Sequence, residues 1–214
     1  MITRPDAILT TALQQRLVAW CCGQGADVAS AESLTARLCG CYAEPQRHYH
    51  HLGHIAGSLT ELDLHAPGDV FIEGAIWFHD VIYDPTRRDN ETASIAWFLE
   101  ETREWIHPDS SAGISRLIEA TDFRIAAGGS PGIDLMIDID LAILSAAPED
   151  YDAYTRAIRF EYAHVPEEDF RIGRAKVMAH FLARPIYRTN GFLSREDRAR
   201  RNIQRELEKL PSPW

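Results

Sequence analysis

Apolar residues recur at spacings of three and four along almost the whole chain, and the alternation that marks a half-buried strand is scarce. From Asp6 to Cys22, residues Ile8, Leu9, Ala12, Leu13, Leu17 and Trp20 share one stripe of a helix that Gly23 and Gly25 end. Further helices are predicted from about Ser30 to Cys41 and from about Tyr49 to His65, where Pro67 and Gly68 follow. Asp69 then caps VFIEGAIWFHDVIY, a helix apolar nearly all round and so expected at the centre, closed by Asp84 and Pro85. Asn90 is the expected cap of a segment through Trp97, Phe98 and Trp105, and Ser110 or Ser111 of one through Leu117 and Ile118. AAGGSPG reads as a loop, after which Asp134 starts LMIDIDLAIL. Beyond Pro148, helices are predicted from Asp150 to about Ala163, from Glu167 to Leu182 and from Ser194 to Leu210, with Ser194 and Asp197 as a capping box. No repeat or linker interrupts the pattern, so residues 1–214 are expected to form one all-α domain.

Composition narrows the function classes. A chain of 214 residues with 45% apolar content can build a real core, which excludes disordered, collagen-like and low-complexity readings. No apolar run approaches the roughly 18 residues that span a bilayer. The start, MITRPDAILTTALQQR, has no basic segment leading into an apolar one, so a cytoplasmic protein without a membrane partner is expected. The net charge of −10, from 22 basic and 32 acidic residues, argues against nucleic acid as a partner. The basic cluster Arg195, Arg198, Arg200, Arg201 and Arg205 is interleaved with Glu196, Asp197, Glu206 and Glu208 and reads as a solvated, self-paired face. Cys21, Cys22, Cys39 and Cys41 lack the two-residue gap of zinc knuckles and read as reduced, small apolar residues.

Histidine is distributed unevenly. Four of the nine lie within seven residues, His48, His50, His51 and His54. On a helix His50 and His54 share a face, while His51 points aside, and such a pair offers two imidazoles to one metal or one substrate. His79 and Asp80 sit in the apolar VFIEGAIWFHD segment, where an ionised carboxylate is costly to bury without a compensating cation. Asp138 and Asp140 repeat that pattern two residues apart, so at most one of them is expected to bind a metal directly. Two imidazoles and two carboxylates suit one divalent ion, Mn, Mg, Fe, Co, Ni or Zn, with positions left for water and substrate. Glu91 near the start of its helix fits either the helix dipole or a catalytic, water-positioning role. Arg156 with Arg159, and Arg171 with Arg174, are three apart and could each present a guanidinium face to a phosphate. The other reading of both pairs is surface ion pairing with Glu161, Glu167 or Glu168.

These residues also carry a resemblance. His54, then His79 and Asp80 in AIWFHDVIYD, then Asp140 in DIDLAIL resemble the H…HD…D signature of the HD-domain phosphohydrolase superfamily. YHHLGHI is similar to the YHNxxH motif of cyclic-nucleotide phosphodiesterases, with His51 in place of Asn. HDVIYD is similar to the HDxxED element of alarmone hydrolases, with Tyr83 in place of Glu. The ordered set RxYHxxxHI, WFHD, NETASIA and IRFEY, from about Arg47 to Asn202, resembles a bacterial family of predicted HD phosphohydrolases. The resemblance implies an HD-type helical bundle, with the metal-site core at about 47–146 and C-terminal helices at about 150–210. It implies one metal on His54, His79, Asp80 and Asp140, because EATDFRIAA lacks the additional histidine many relatives carry. It further implies His50 as general acid, with Asp80 or Asp140 taking a proton from the attacking water. The expected activity is hydrolysis of a phosphoester, of a nucleotide or related small phosphorylated metabolite, by metal-activated water. The alternative is a catalytically silent HD module that binds a nucleotide and signals to a partner. A homo-oligomer stays open.

Overall fold

The computed structural model of the protein describes residues 4–123 and 129–211. Among them the secondary structure is helical throughout: α1 (Ala7–Gly23), α2 (Val28–Tyr42), α3 (Leu52–His65), α4 (Val70–Phe78), α5 (Asn90–Thr102), α6 (Pro108–Glu119), α7 (Pro131–Asp140), a 3-10 turn (Leu141–Ser145), α8 (Pro148–Glu161), α9 (Glu167–Leu182), α10 (Asn190–Leu193) and α11 (Glu196–Leu207). The all-α expectation holds. No helix among the described residues is long and apolar enough to cross a membrane.

The apolar segment predicted at the centre is there. α4 packs against α1, α3, α5, α6 and α7, and from Ile72 to Phe78 all but Glu73 is buried. Asp69 caps it, accepting from the amides of Phe71 and Ile72. Gly74 lets its neighbours approach: a Cβ there would stand 2.6 Å from the Trp20 ring of α1 and 2.8 Å from Ile114 of α6. The indole N–H of Trp20 donates to the Val70 carbonyl at 2.9 Å, and the Tyr42 hydroxyl of α2 donates to that of Trp77 at 3.0 Å. Both join the packing to the backbone of the central helix.

Helix starts depart from expectation where proline sets them. α6, α7 and α8 begin on Pro108, Pro131 and Pro148. Proline needs no N–H at the first helical position and brings a helical φ, so it moves each start upstream of the expected Ser110 or Ser111, Asp134 and Asp150. Ser130 caps α7, so the end of AAGGSPG belongs to a helix start; 124–128 lie outside the described residues. Asn90 does not cap α5: its side chain bonds both the N–H and the carbonyl of Asp84, which closes the 84–90 loop and leaves Asp89 at the cap position. Ser194 ends α10 instead of opening α11.

Of the three carboxylates on α7, Asp134, Asp138 and Asp140, Asp138 is structural. It is fully buried and accepts from the Arg188 amide at 2.9 Å, the Thr189 amide at 2.7 Å and the Thr189 hydroxyl at 2.6 Å. It therefore pins the chain ahead of α10 onto α7. Asp138→Ala leaves these partly buried donors without that acceptor and is expected to lower the unfolding free energy by about 2 kcal/mol. Its metal content should stay at the wild-type value. Denaturant unfolding and elemental analysis of the refolded variant check this, and metal loss at unchanged stability would move Asp138 into the site.

Candidate metal centre

Three elements deliver the donors. His54 lies in the first turn of α3, whose cap is His51: its Nδ1 accepts from the Gly53 amide at 2.9 Å. Burial, Arg4 and His54 push the His51 imidazole down to about 4, which keeps Nδ1 free to accept. His79 follows the last residue of α4, with Asp80 beyond it in a turn, so the expected continuous helix through Tyr83 stops at Phe78. Asp140 is the last residue of α7.

Arg47 holds the chain beyond the break. Its guanidinium is buried and donates to the carbonyls of Asp80 (2.6 Å), Val81 (2.9 Å) and His50 (3.2 Å). These bonds draw the carbonyls after α4 away from helical pairing and tie the 47–50 loop to the 80–81 loop. One side chain thus sets the backbone on both sides of the site.

The donor atoms converge. His54 Nε2 lies 3.0 Å from His79 Nε2 and 3.2 Å from Asp140 Oδ1, and His79 Nε2 lies 3.6 Å from the same oxygen. Asp80 Oδ2 joins at 3.1 Å from His79 Nε2 and 3.7 Å from His54 Nε2. Ligands about 2.0–2.2 Å from a single ion stand about 2.9–3.6 Å from one another, so the spacing of His54, His79 and Asp140 is that of one coordination shell, with Asp80 at its edge. Two further features fit. His79 Nδ1 lies 3.0 Å from the Ile76 carbonyl, which makes it a donor nitrogen and turns Nε2 toward the other donors. The C-terminal ends of α4 and α7, each with partial negative charge, both meet here and favour a cation. The cluster of His54, His79 and Asp140 could hold a metal ion.

The electrostatics say the same. Burial lowers the affinity of His79 for its proton, but Asp80 and Asp140 outweigh it and hold the imidazole well above its ordinary value. Burial also works to raise Asp80 and Asp140, and the surrounding imidazoles hold both far below the usual carboxylate range. The site is built for fixed positive charge.

His50 stands beside the donors and not among them. Contrary to expectation it shares no helix face with His54, because α3 begins only at Leu52 and His50 lies in the preceding turn. Its ring centroid is 6.0 Å from that of His54, and its Nδ1 is 2.7 Å from Glu161 Oε2. Glu161, the last residue of α8, is buried, and its Oε1 accepts from the amides of His48 (2.8 Å), Tyr49 (2.7 Å) and His50 (3.0 Å). Tyr83 stacks on the His50 ring at 3.9 Å and donates its hydroxyl to Glu161 Oε2 at 3.2 Å. Burial lowers His50, yet Glu161 and Asp80 raise it above its ordinary value; burial raises Glu161, yet His50 and the amides bring it down to about 2. The two form a buried ion pair that turns His50 Nε2 away from Glu161.

His50, His79, Asp80, Glu91, Asp140 and Arg174 share the wall of a cavity of about 830 Å³. Glu91 is the second residue of α5, one place later than expected. The arginine pairs are split by their neighbours. Arg174 reaches the cavity but pairs with Glu206 at 2.7 Å, and Arg159 is held by Glu167 and the carbonyls of Tyr162 and Val165. Arg156 is exposed, and Arg171, also exposed, donates to the Lys209 carbonyl. Arg47 and Glu161 were open to view in the RxYHxxxHI and IRFEY segments, yet their roles run through backbone groups that no spacing displays. No family model, curated protein or solved structure matches the chain, so the site stands on its geometry.

Proposed function

We propose that the protein is a metal-dependent phosphohydrolase of the HD type, acting on the phosphoester of a small metabolite. The observation that carries this reading is the convergence of two buried imidazoles, His54 and His79, with the half-buried carboxylates of Asp140 and Asp80, beside an imidazole fixed by Glu161. In this reading His54, His79, Asp80 and Asp140 hold one divalent ion, which when bound supplies Lewis acidity and a water activated at neutral pH. The residues do the rest. Protonated His50, with Glu161 behind it, gives its Nε2 proton to the leaving oxygen, the task of a general acid. Asp80, more exposed than the two histidines, takes a proton from the attacking water, and Glu91 on the same wall orients that water. Of the four arginines expected to grip phosphate, Arg174 is the one on the cavity wall, where it reinforces the field and does not act as a free anion clamp.

Elemental analysis of the purified protein is expected to find one divalent transition metal per chain. Phosphate release from a panel of monoesters, nucleotides, cyclic nucleotides and alarmones should then depend on that metal or on added Mn, Mg, Co or Ni. A protein that neither carries nor binds these ions and releases no phosphate overturns the proposal. Metal without turnover on any ester would mark a silent binding module instead.

A further inference from the structure

The cavity beside the donors has the volume of a site for a whole small molecule and not for a phosphate alone. Its wall changes character past Asp140. The 3-10 turn adds Ile143 and Leu144, α8 adds Ile158, and α9 adds Phe170, Met178 and Phe181. Tyr49 and Tyr154 mark the border: the Tyr49 ring is 4.9 Å from that of His54 and 4.8 Å from that of Tyr154. Lys176 and Val177 of α9 also line the cavity and are exposed, so it opens to solvent along that helix.

Two polar groups of this apolar arm hold internal bonds. The Tyr154 hydroxyl accepts from Arg174 at 3.3 Å, Arg174 donates to Glu206, and the Thr121 hydroxyl donates to the Ile118 carbonyl at 2.7 Å. Against Ile143, Leu144, Ile158, Phe170, Met178 and Phe181 an apolar body gains by burial, whereas a nucleobase would leave donors and acceptors unpaired.

We infer that the substrate is a phosphomonoester of an apolar or aromatic alcohol, with its phosphate at the His54, His79 and Asp140 donors and its body in the arm. This rests on the phosphohydrolase reading for the reaction and on the cavity wall for the body.

Calorimetric titration of the full-length, Mn-loaded protein with methylphosphonate, octylphosphonate, AMP and ATP tests it without turnover. Octylphosphonate should bind at least about 30-fold more tightly than methylphosphonate, since each fully buried methylene is worth roughly fourfold, and the nucleotides should bind about as weakly as methylphosphonate. Val177→Asp, at an exposed position that does not burden folding, and Phe170→Ala should each erase most of the octyl preference while leaving methylphosphonate unchanged. AMP or ATP binding more tightly than octylphosphonate, or an octyl preference that Val177→Asp leaves intact, overturns the inference. The two proposals part in the turnover assay. Cleavage of AMP in preference to octyl phosphate overturns the apolar substrate and keeps the hydrolase; an octyl preference in binding without cleavage of any ester supports the arm and overturns the hydrolase.

Discussion

Single replacement of His54, His79 or Asp140 by alanine is expected to strip the metal and to lower phosphate release by about 10⁴-fold or more, because several kcal/mol of charge stabilisation leave with the ion. The two losses should be inseparable. His54 Nε2 lies within 3.2 Å of donor atoms from both α7 and the end of α4, so no remaining pair reproduces the shell. The variants also differ from the parent in a property unrelated to turnover. A ligand that binds only the folded state raises its stability by mass action, so the parent melting temperature should climb with added Mn while the variants stay flat. His79→Ala should be the least stable of the three without metal, since His79 is the group chiefly responsible for offsetting the buried charge of Asp80. A variant that keeps its metal and still loses turnover would place its side chain in the chemistry and not in the shell.

Much of this site was legible before folding was considered, for a specific physical reason. Charged and imidazole groups inside apolar segments violate the pattern around them, and such violations need a partner. That logic singled out His79 and Asp80, while the bunching of histidines singled out His54. It left Asp138 and Asp140 undecided, because the choice is made by the amides of residues 188 and 189, fifty positions away. Glu161 is the clearest miss. Its position at the end of α8 resembles that of any helix-surface acid, and it was weighed only as an arginine partner. What defines it is three backbone amides more than a hundred residues upstream, a contact written into no side-chain pattern. Arg47 was hidden in the same way, since its partners are carbonyls that every residue owns. The helical stripes were readable because periodicity is local; the starts of α6 and α7 slipped because proline at the first turn outweighed the serines and the aspartate behind it.

His50→Gln is expected to retain the metal and lose about 10²- to 10⁴-fold in kcat, the usual worth of a positioned general acid. Because the acid acts on the leaving oxygen, the loss should shrink toward unity with 4-nitrophenyl phosphate, whose leaving group needs no proton, and be largest with an alkyl ester. Glu161→Gln probes the same acid from behind. Gln keeps the acceptor for the three amides but removes the charge that, with Asp80, raises His50. The alkaline limb of its kcat profile should therefore move to lower pH, with metal content unchanged. The stability change has a definite pH window. Glu161, held down to about 2, contributes above its ordinary value near 4.5 and loses that contribution as pH falls toward 2. His50, held up, contributes below its ordinary 6.5 and loses that contribution as pH rises through its elevated value. The parent should thus exceed Glu161→Gln in unfolding free energy most clearly between about pH 4.5 and 6.5, narrowing on either side. Denaturant melts across that range, set beside the kcat profile, separate a proton donor from a merely buried ion pair. A stability gap with an unmoved alkaline limb and an equal rate loss on both esters would leave His50 and Glu161 as scaffolding and assign the leaving-group proton elsewhere.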